Sequence, residues 1–348
     1  MTFRRAISVW ALAASVMIVG CERPADPEFQ SSARVGQLSA ELQTSLKTEL
    51  VSKTGTYAHP QLIGAEAGTT LAKGQAVYQQ RCVQCHGISG DGNGPTASSM
   101  YPRPRDYRRG VFKFTSTPYG ARPLRSDLER TIRSGIRGTS MPEFNLLPRD
   151  EIEAVVDYVL TLTRRGEYEE ELSALAENEE ALPQDMIDEE AFPRVMQRWS
   201  QAESQQVQPL TPQPKFTDEH VALGKTAFLT VGCAKCHGED GRGQMADNIG
   251  KDLWGRTTRA ADLTSGMLHG GPKPLDIYRR IYSGINGTPM PGFASSLQSQ
   301  PDTIWHLVAY VKFISNRRRE GELPPPGPIK PYVPAEVPST SAVETASK

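Results

Sequence analysis

The sequence lacks a marked excess of charge of either sign. Its 39 Lys and Arg residues stand against 40 Asp and Glu residues, which gives a formal net charge of −1. Chains that bind nucleic acid are usually strongly basic, at least over one face. We therefore expect no nucleic-acid partner.

Cysteine is also scarce, and none of the five cysteines is left over for a disulfide. Four of them form two Cys-x-x-Cys pairs, and the fifth ends the apolar N-terminal run. We therefore expect no disulfide, although disulfides are common in exported proteins.

The N-terminal apolar run is too short to cross a membrane. It covers residues 6–20, whereas a membrane-spanning helix needs about 20 residues. After Arg4 and Arg5, a run of this length is typical of a secretory signal peptide.

The end of this run, Ile18-Val19-Gly20-Cys21, resembles the lipobox of bacterial lipoproteins. The resemblance implies a signal peptide over residues 1–20 and lipid attachment at Cys21. It places the protein on the periplasmic side of a bacterial membrane, held there by lipid. An uncleaved anchor or an ordinary signal peptide is the alternative, and the rest of the chain is exported in either case.

Beyond the N-terminus, the chain contains two copies of one unit. The eighteen residues from Asp127 to Phe144 match those from Asp276 to Phe293 at a constant offset of 149. Upstream, Cys-x-x-Cys-His-Gly also occurs twice. Two copies at so long a period indicate a domain duplication rather than a solenoid.

Each unit is predicted to be small and helical. A helix leads into Cys-x-x-Cys-His, a long Gly/Pro-rich loop follows, and a short helix ends at Gly135 or Gly284. A closing helix is indicated by apolar residues spaced 3, 1 and 3 apart. These residues are Ile152, Val155, Val156 and Val159, and in the second unit Ile304, Leu307, Val308 and Val311.

The Cys-x-x-Cys-His motifs have the spacing of c-type haem attachment. Two thiols at this spacing form thioethers to the two vinyl groups of one haem, and the adjacent His becomes the proximal ligand. Zinc needs four ligands, and neither unit has another cysteine. A redox-active thiol pair would need a βαβ pattern, which is absent. The motif residues are Cys82, Cys85, His86, Cys233, Cys236 and His237.

A distal ligand is predicted from the repeat. Met141 and Met290 each lie in Gly-Thr-x-Met-Pro-x-Phe, 55 and 53 residues after the motif histidine. A thioether is a soft ligand suited to haem iron, and the alternative for a lone methionine is core packing. The unmatched methionines and histidines are interpreted as surface or packing residues. They are Met100, Met245, Met267, His59, His220, His269 and His306.

On these motifs, residues 68–165 and 216–316 each resemble class I cytochrome c. The resemblance implies an all-α fold with two tandem domains and two covalently bound haems c. It implies that Gly74 and Tyr78 meet the helix bearing Tyr158, and that Gly224 and Phe228 meet the helix bearing Trp305 and Tyr310. It also implies that the Pro95 carbonyl accepts the His86 N–H, a role for which the second unit has no equivalent proline.

Three stretches lie outside the two units. Residues 21–67 are interpreted as a lipidated tether with one modest helix, and residues 317–348 as a disordered Pro-rich tail. Residues 166–215 are interpreted as an acidic, Pro/Gln-rich linker between the domains. Because residues 167–192 carry eleven acids and no Lys or Arg, solvated helices are expected there.

Positive charge gathers in one part of the first unit. Residues 101–137 carry ten Lys and Arg against three Asp and Glu. Arg103, Arg105 and Tyr107 are candidates to pair with haem propionates. The other cations form either a docking face that attracts an acidic partner or an ordinary solvated loop.

Ligation by His and Met leaves no open position on iron, which favours outer-sphere electron transfer. The sequence therefore predicts an electron carrier rather than an enzyme, with one redox protein as donor and another as acceptor. The alternatives are a dihaem peroxidase-type enzyme, and a cytochrome subunit of a dehydrogenase or oxidase complex. A peroxidase needs one haem with an accessible distal side, whereas both units here retain the Met sequence.

Overall fold

The computed structural model describes residues 27–64, 71–243, 249–317 and 320–321. The predicted signal peptide, the predicted lipid site Cys21 and the tail from residue 322 onward lie outside the described residues.

The first half of the chain is entirely helical apart from its loops. Its helices are α1 (Ala40–Thr54), α2 (Leu71–Arg81), α3 (Val83–His86), α4 (Arg125–Ser134), α5 (Arg149–Glu179), α6 (Gln184–Met186) and α7 (Phe192–Ser204). A π-helical turn, Ile187–Ala191, joins α6 to α7. α2, α3, α4 and the first half of α5 form the first repeat unit.

The second half repeats this order and adds a small hairpin. Its helices are α8 (Asp218–Thr230), α9 (Cys233–His237), α10 (Pro274–Ser283) and α11 (Thr303–Arg317). Between α9 and α10, strand β1 (Ile249–Lys251) pairs antiparallel with β2 (Thr257–Arg259), with Gly250 opposite Thr258. The expected all-α fold with two tandem units is confirmed, with this hairpin as a local addition.

In each unit the first helix crosses the closing helix at a glycine. A Cβ on Gly74 would lie 2.0 Å from the Ala154 carbonyl oxygen of α5, and one on Gly224 would lie 2.0 Å from the His306 carbonyl oxygen of α11. Any side chain at these positions would force the two helices apart, and glycine is therefore required.

Aromatic rings fill the space beside each glycine. The ring centroids of Tyr78 and Tyr158 are 5.2 Å apart, and those of Phe228 and Tyr310 are 5.3 Å apart. The expected meeting of these helices is therefore confirmed in both units, and these rings belong to the two separate hydrophobic cores.

The predicted tether contributes to the core of the first unit. α1 is the one expected helix, and its Leu46 and Leu50 are each only 1% exposed. They belong to the same hydrophobic cluster as Val156 and Leu162 of α5. The described part of this stretch is therefore packed structure.

The interpretation of the acidic stretch as solvated helices is wrong for its first half. α5 continues without a break through residue 165 to Glu179. Tyr168, Leu172 and Ala176 follow one another at helical spacing and are all buried. α7 folds back on this face, with Val195 and Trp199 in the same core.

Two acids in this stretch, the buried Glu167 and the half-buried Glu171, are paired with arginines from other segments. The Glu167 carboxylate, 2% exposed, accepts hydrogen bonds from Arg122 and from Trp199 Nε1, the latter at 2.7 Å. Glu171 pairs with Arg198 at 2.5 Å. Net charge along the sequence did not indicate these partners because they lie up to 45 residues away.

No helix among the described residues is long and apolar enough to cross a membrane.

We predict that Glu167→Ala destabilises the first unit by about 3–5 kcal/mol, since it leaves the Arg122 charge buried without its carboxylate and the Trp199 N–H without an acceptor. Chemical denaturation of the haem-loaded protein, followed by far-UV circular dichroism, measures this loss. Glu190→Ala is the matched control, because it removes an exposed ion pair with Arg194 that contributes about 0.3–0.5 kcal/mol. Equal losses in the two variants would contradict the prediction.

Candidate haem sites

The two Cys-x-x-Cys-His motifs form one-turn helices at the same place in each unit. α3 follows Cys82 directly, and the His86 N–H donates to the Cys82 carbonyl at 2.9 Å. α9 contains the second motif. Residues three apart lie on one face of a helix, which places the two thiols of each motif on the same side.

The proximal histidines are oriented by backbone carbonyls. His86 Nδ1 donates to the carbonyl oxygen of Arg105 at 3.4 Å, and His237 Nδ1 donates to that of Ala261 at 3.0 Å. Because a carbonyl oxygen can only accept, each bond fixes the proton on Nδ1 and leaves Nε2 as the ligand atom. Such bonds also fix the plane of a ligating ring.

The expectation that Pro95 supplies the acceptor for His86 is wrong. Arg105, ten residues further on, supplies it, and the second unit fills the same role with Ala261 although it has no equivalent proline. The two sites therefore share this feature, which the sequence motif alone did not indicate.

Burial lowers the pKa of both proximal histidines, and the bonds to Arg105 and Ala261 oppose this only in part. Both rings are therefore neutral at neutral pH, as a metal ligand must be.

The Tyr107 hydroxyl is not available to a propionate. It donates to the Tyr78 hydroxyl, which in turn donates to the Gly87 carbonyl oxygen at 2.8 Å. The Tyr107 ring lies beside the His86 ring, with centroids 5.4 Å apart. Tyr107 therefore packs against the proximal histidine, and the expectation that it pairs with a propionate is wrong.

The two Met loops have the same hydrogen bonds. The Ile136 N–H donates to the Met141 carbonyl at 3.1 Å, and the Ile285 N–H to the Met290 carbonyl at 3.2 Å. In both loops the methionine N–H donates to the hydroxyl of the threonine two residues earlier. The duplicated sequence therefore folds into a duplicated loop.

Each loop starts at the glycine that ends the preceding short helix. Gly135 has φ of +59° and Gly284 has φ of +73°, values that favour glycine. A Cβ at either position would lie within 2.6 Å of the returning Met-Pro backbone. The glycines therefore allow the Met loop to close against the helix end.

The predicted ligands of the first unit line one cavity. It has an empty volume of about 1360 Å³, counting space open to solvent, and its wall includes Cys82, Cys85, His86 and Met141. Apolar side chains make up much of the rest, among them Phe112, Leu128, Ile132, Phe144 and Val159. In the second unit, Cys233, Cys236, His237 and Met290 occupy the corresponding elements.

These residues fit a covalently bound haem. The paired thiols and the neutral imidazole lie together at one wall of an apolar cavity, and the same cavity includes a thioether. Arg103 and Arg105 also line the cavity, as their predicted role beside the propionates requires. The haem supplies a one-electron couple between iron(III) and iron(II).

Several cavity residues were not identified from the sequence as site residues. Among them are Met100, Lys113 and His269, the last of which belongs to the second unit. Met100 and His269, interpreted from the sequence as surface or packing residues, thus lie in the wall of the first cavity. A single sequence contains no signal for His269, because only the packing of the two units brings it there.

Four arginines of the cationic region at residues 101–137 are paired with acids of the same chain. Arg108 pairs with Asp106, Arg122 with Glu167, Arg125 with Asp157 and Arg130 with Asp127. These pairs hold loops and helices of the first unit together. The region therefore offers fewer free charges to an acidic partner than its sequence suggests.

Comparison with known proteins identifies both units. Residues 69–159 match the family of cytochrome c oxidase, cbb3-type, subunit III, and residues 221–315 match the cytochrome c family. No curated protein shows significant similarity to the chain.

One solved chain is similar to this protein over most of that chain's own length. It is a chain of the reducing HAO-like protein complex of Kuenenia stuttgartiensis, with 29% sequence identity and a TM-score of 0.55. The similarity covers 70% of this chain and 95% of that one. With two cytochrome c units in tandem, each containing an attachment motif, the chain belongs to the dihaem c-type cytochromes and binds two haems covalently.

Proposed function

We propose that this cytochrome is an exported electron carrier, anchored by lipid on Cys21 at the periplasmic side of a bacterial membrane. It passes single electrons from one redox protein to another. The observation that carries the proposal is the equivalence of the two Met loops, since each unit has the same loop with the same hydrogen bonds.

In this proposal, His86, Met141, His237 and Met290 would hold the two haems. The Arg105 and Ala261 carbonyls orient the proximal rings, and each Met loop carries a thioether. A haem ligated by an imidazole and a thioether would have no position open to substrate and would supply one-electron exchange only. A peroxidase would need one unit without a distal ligand, whereas both units here have the Met loop.

A second candidate is a fixed subunit of a larger redox complex. One family match is named for a subunit of an oxidase, and the similar solved chain belongs to a complex of an HAO-like protein. Both observations concern other proteins, and they favour a role beside a catalytic subunit that receives or supplies the electrons.

We predict that Met141→Ala and Met290→Ala each remove about half of the weak charge-transfer band that a thioether gives with iron(III), and each lower one of two reduction potentials. Met100→Ala is the matched control, because Met100 lines the first cavity but lies outside the repeat. Absorption spectra and redox titrations of haem-loaded protein measure both effects.

The same variants test the carrier against the enzyme. The parent protein should bind cyanide slowly and show no peroxidase turnover of physiological size, while each Met variant should bind cyanide fast. Fast cyanide binding or enzymatic peroxide reduction by the parent would contradict the carrier function. Loss of the band in Met100→Ala alone would contradict the ligand assignment.

We predict that Cys21→Ser moves the protein from the membrane to the soluble exported fraction, because two or more acyl chains anchor stably where one does not. Fractionation followed by haem staining measures the distribution. A variant that stays with the membrane after a salt wash would show a different anchor.

We predict that the protein extracted from membranes with mild detergent co-purifies with a second redox protein if it is a complex subunit. Haem-stained native gels and identification of the bands measure this. Migration of the chain by itself, with electron transfer to added acceptors intact, would favour the free carrier.

A further inference from the structure

The two units contact each other through equivalent residues whose roles are exchanged. Arg130 of α4 pairs with Asp276 of α10 at 3.4 Å, and the equivalent residues Arg279 and Asp127 attract each other in return. The Gly120 N–H donates to Asn286 Oδ1 at 2.8 Å. In the reciprocal contact, His269 lies beside Gly138, and the Met loops of both units therefore border the interface.

The hairpin of the second unit breaks this symmetry. Its turn is held by Asp252 Oδ1, which accepts the N–H groups of Trp254 and Arg256 at 3.0 and 2.9 Å. It reaches the first unit, where Arg256 Nη1 donates to the Pro104 carbonyl at 3.0 Å. In the described residues of the first unit no strand pair corresponds to this hairpin.

Arg105 and Trp254 make the central contact of this hairpin. The Arg105 guanidinium lies 3.7 Å from the centre of the Trp254 ring and 3.8 Å from the Asp252 carboxylate. A cation on an aromatic face is attracted more strongly when the pair is shielded from water. The Arg105 side chain is only 15% exposed, so the contact is a fixed part of the interface.

Both partners of this contact also touch a haem site. The Arg105 carbonyl is the acceptor of the proximal His86. On the other side, Trp254 packs against Gly287 in the Met290 loop, where a Cβ would lie 2.8 Å from the indole ring. The neighbouring Leu253 N–H donates to the Gly287 carbonyl at 3.0 Å.

The charges that surround this contact indicate a bound anion nearby. Three cations lie close together near the Asp252 carboxylate, namely Arg105, Lys113 and Arg256. Burial and the neighbouring cations lower the pKa of Lys113 to about 8. Trp254 Nε1 is buried without an acceptor among the described residues. Haem carboxylates would offset this excess of positive charge and buried donors.

We propose that Arg105 and Trp254 form the bridge through which an electron passes between the two haem sites. The route runs from the His86 hydrogen bond through Arg105 and the indole ring to the Met290 loop. One iron is oxidised from iron(II) to iron(III) while the other is reduced from iron(III) to iron(II), and no bond or proton changes. The inference rests on His86 and Met290 as ligands, as in the proposed function.

The test is the rate of internal electron transfer in full-length, haem-loaded protein. Pulse radiolysis delivers less than one electron per chain to the oxidised protein, and redistribution between the sites follows as a phase independent of protein concentration. Trp254→Ala is expected to slow this phase several-fold, since it opens a gap in the contact between Arg105 and the Met290 loop. Trp254→Phe retains an aromatic ring and should recover most of the rate.

Arg130→Ala is the matched control, because it removes an ion pair between the units, with Asp276, but leaves the indole in place. An unchanged rate in Arg130→Ala beside a slow Trp254→Ala supports the bridge. Equal slowing in both variants would show that Trp254 only holds the two units together, and this result would overturn the bridge. The bridge would also be overturned if Trp254→Ala kept the parent rate, or if the parent protein showed no such phase.

Redox titration and the thioether band are recorded for every variant. If the rates contradict the bridge while both potentials and the thioether band keep their parent values, the ligand assignment and the carrier function still hold. Loss of the band in the parent would instead contradict the proposed function.

Discussion

The close crossing of the first and closing helices in each unit is the constraint on which the rest of the structure depends. At Gly74 and Gly224 the helix backbones are so close that no side chain fits between them. This crossing sets where the Cys-x-x-Cys-His helix begins, because α3 and α9 follow α2 and α8 after a few residues. It also fixes the closing helices, whose aromatic rings build the two cores.

Among the described residues, the first unit is enlarged by segments that have no counterpart in the second. α1 packs on α5, and α5 extends beyond the repeat so that α7 can fold back on it. Arg122 of the cationic region pairs with the buried Glu167 of this extension. The long acidic stretch therefore stabilises the first unit and positions the start of the second, because a packed helix leaves the connection little freedom.

Contacts between equivalent residues bring the Met loops of both units to one interface, and the hairpin makes this interface asymmetric. The hairpin of the second unit places Trp254 on Arg105 of the first unit, and the carbonyl of the same Arg105 orients the proximal His86. The two haem sites consequently differ in their surroundings although their ligand motifs agree. Such a difference in nearby charge and burial is one means of separating two reduction potentials.

Local spacing was sufficient to predict the duplication, the attachment motifs and the Met loops, because each depends on residues a few positions apart. The helix crossings at Gly74 and Gly224 were predicted from the resemblance to class I cytochrome c, and the structure agrees. Covalent attachment of haem requires cysteines and a histidine at fixed short spacing. This motif can be recognised in the sequence, and these parts of the site were therefore predicted from it.

The tertiary structure decided the features that depend on residues far apart in the chain. Whether Arg105 or Pro95 accepts the His86 N–H depends on the path of a long loop, and the burial of Glu167 depends on an arginine 45 residues away. The place of His269 in the first cavity and the contact of Arg105 with Trp254 depend on how two units pack. Sequence periodicity reports which face of a helix is apolar, but it contains no information on what that face, or a charge beside it, will meet.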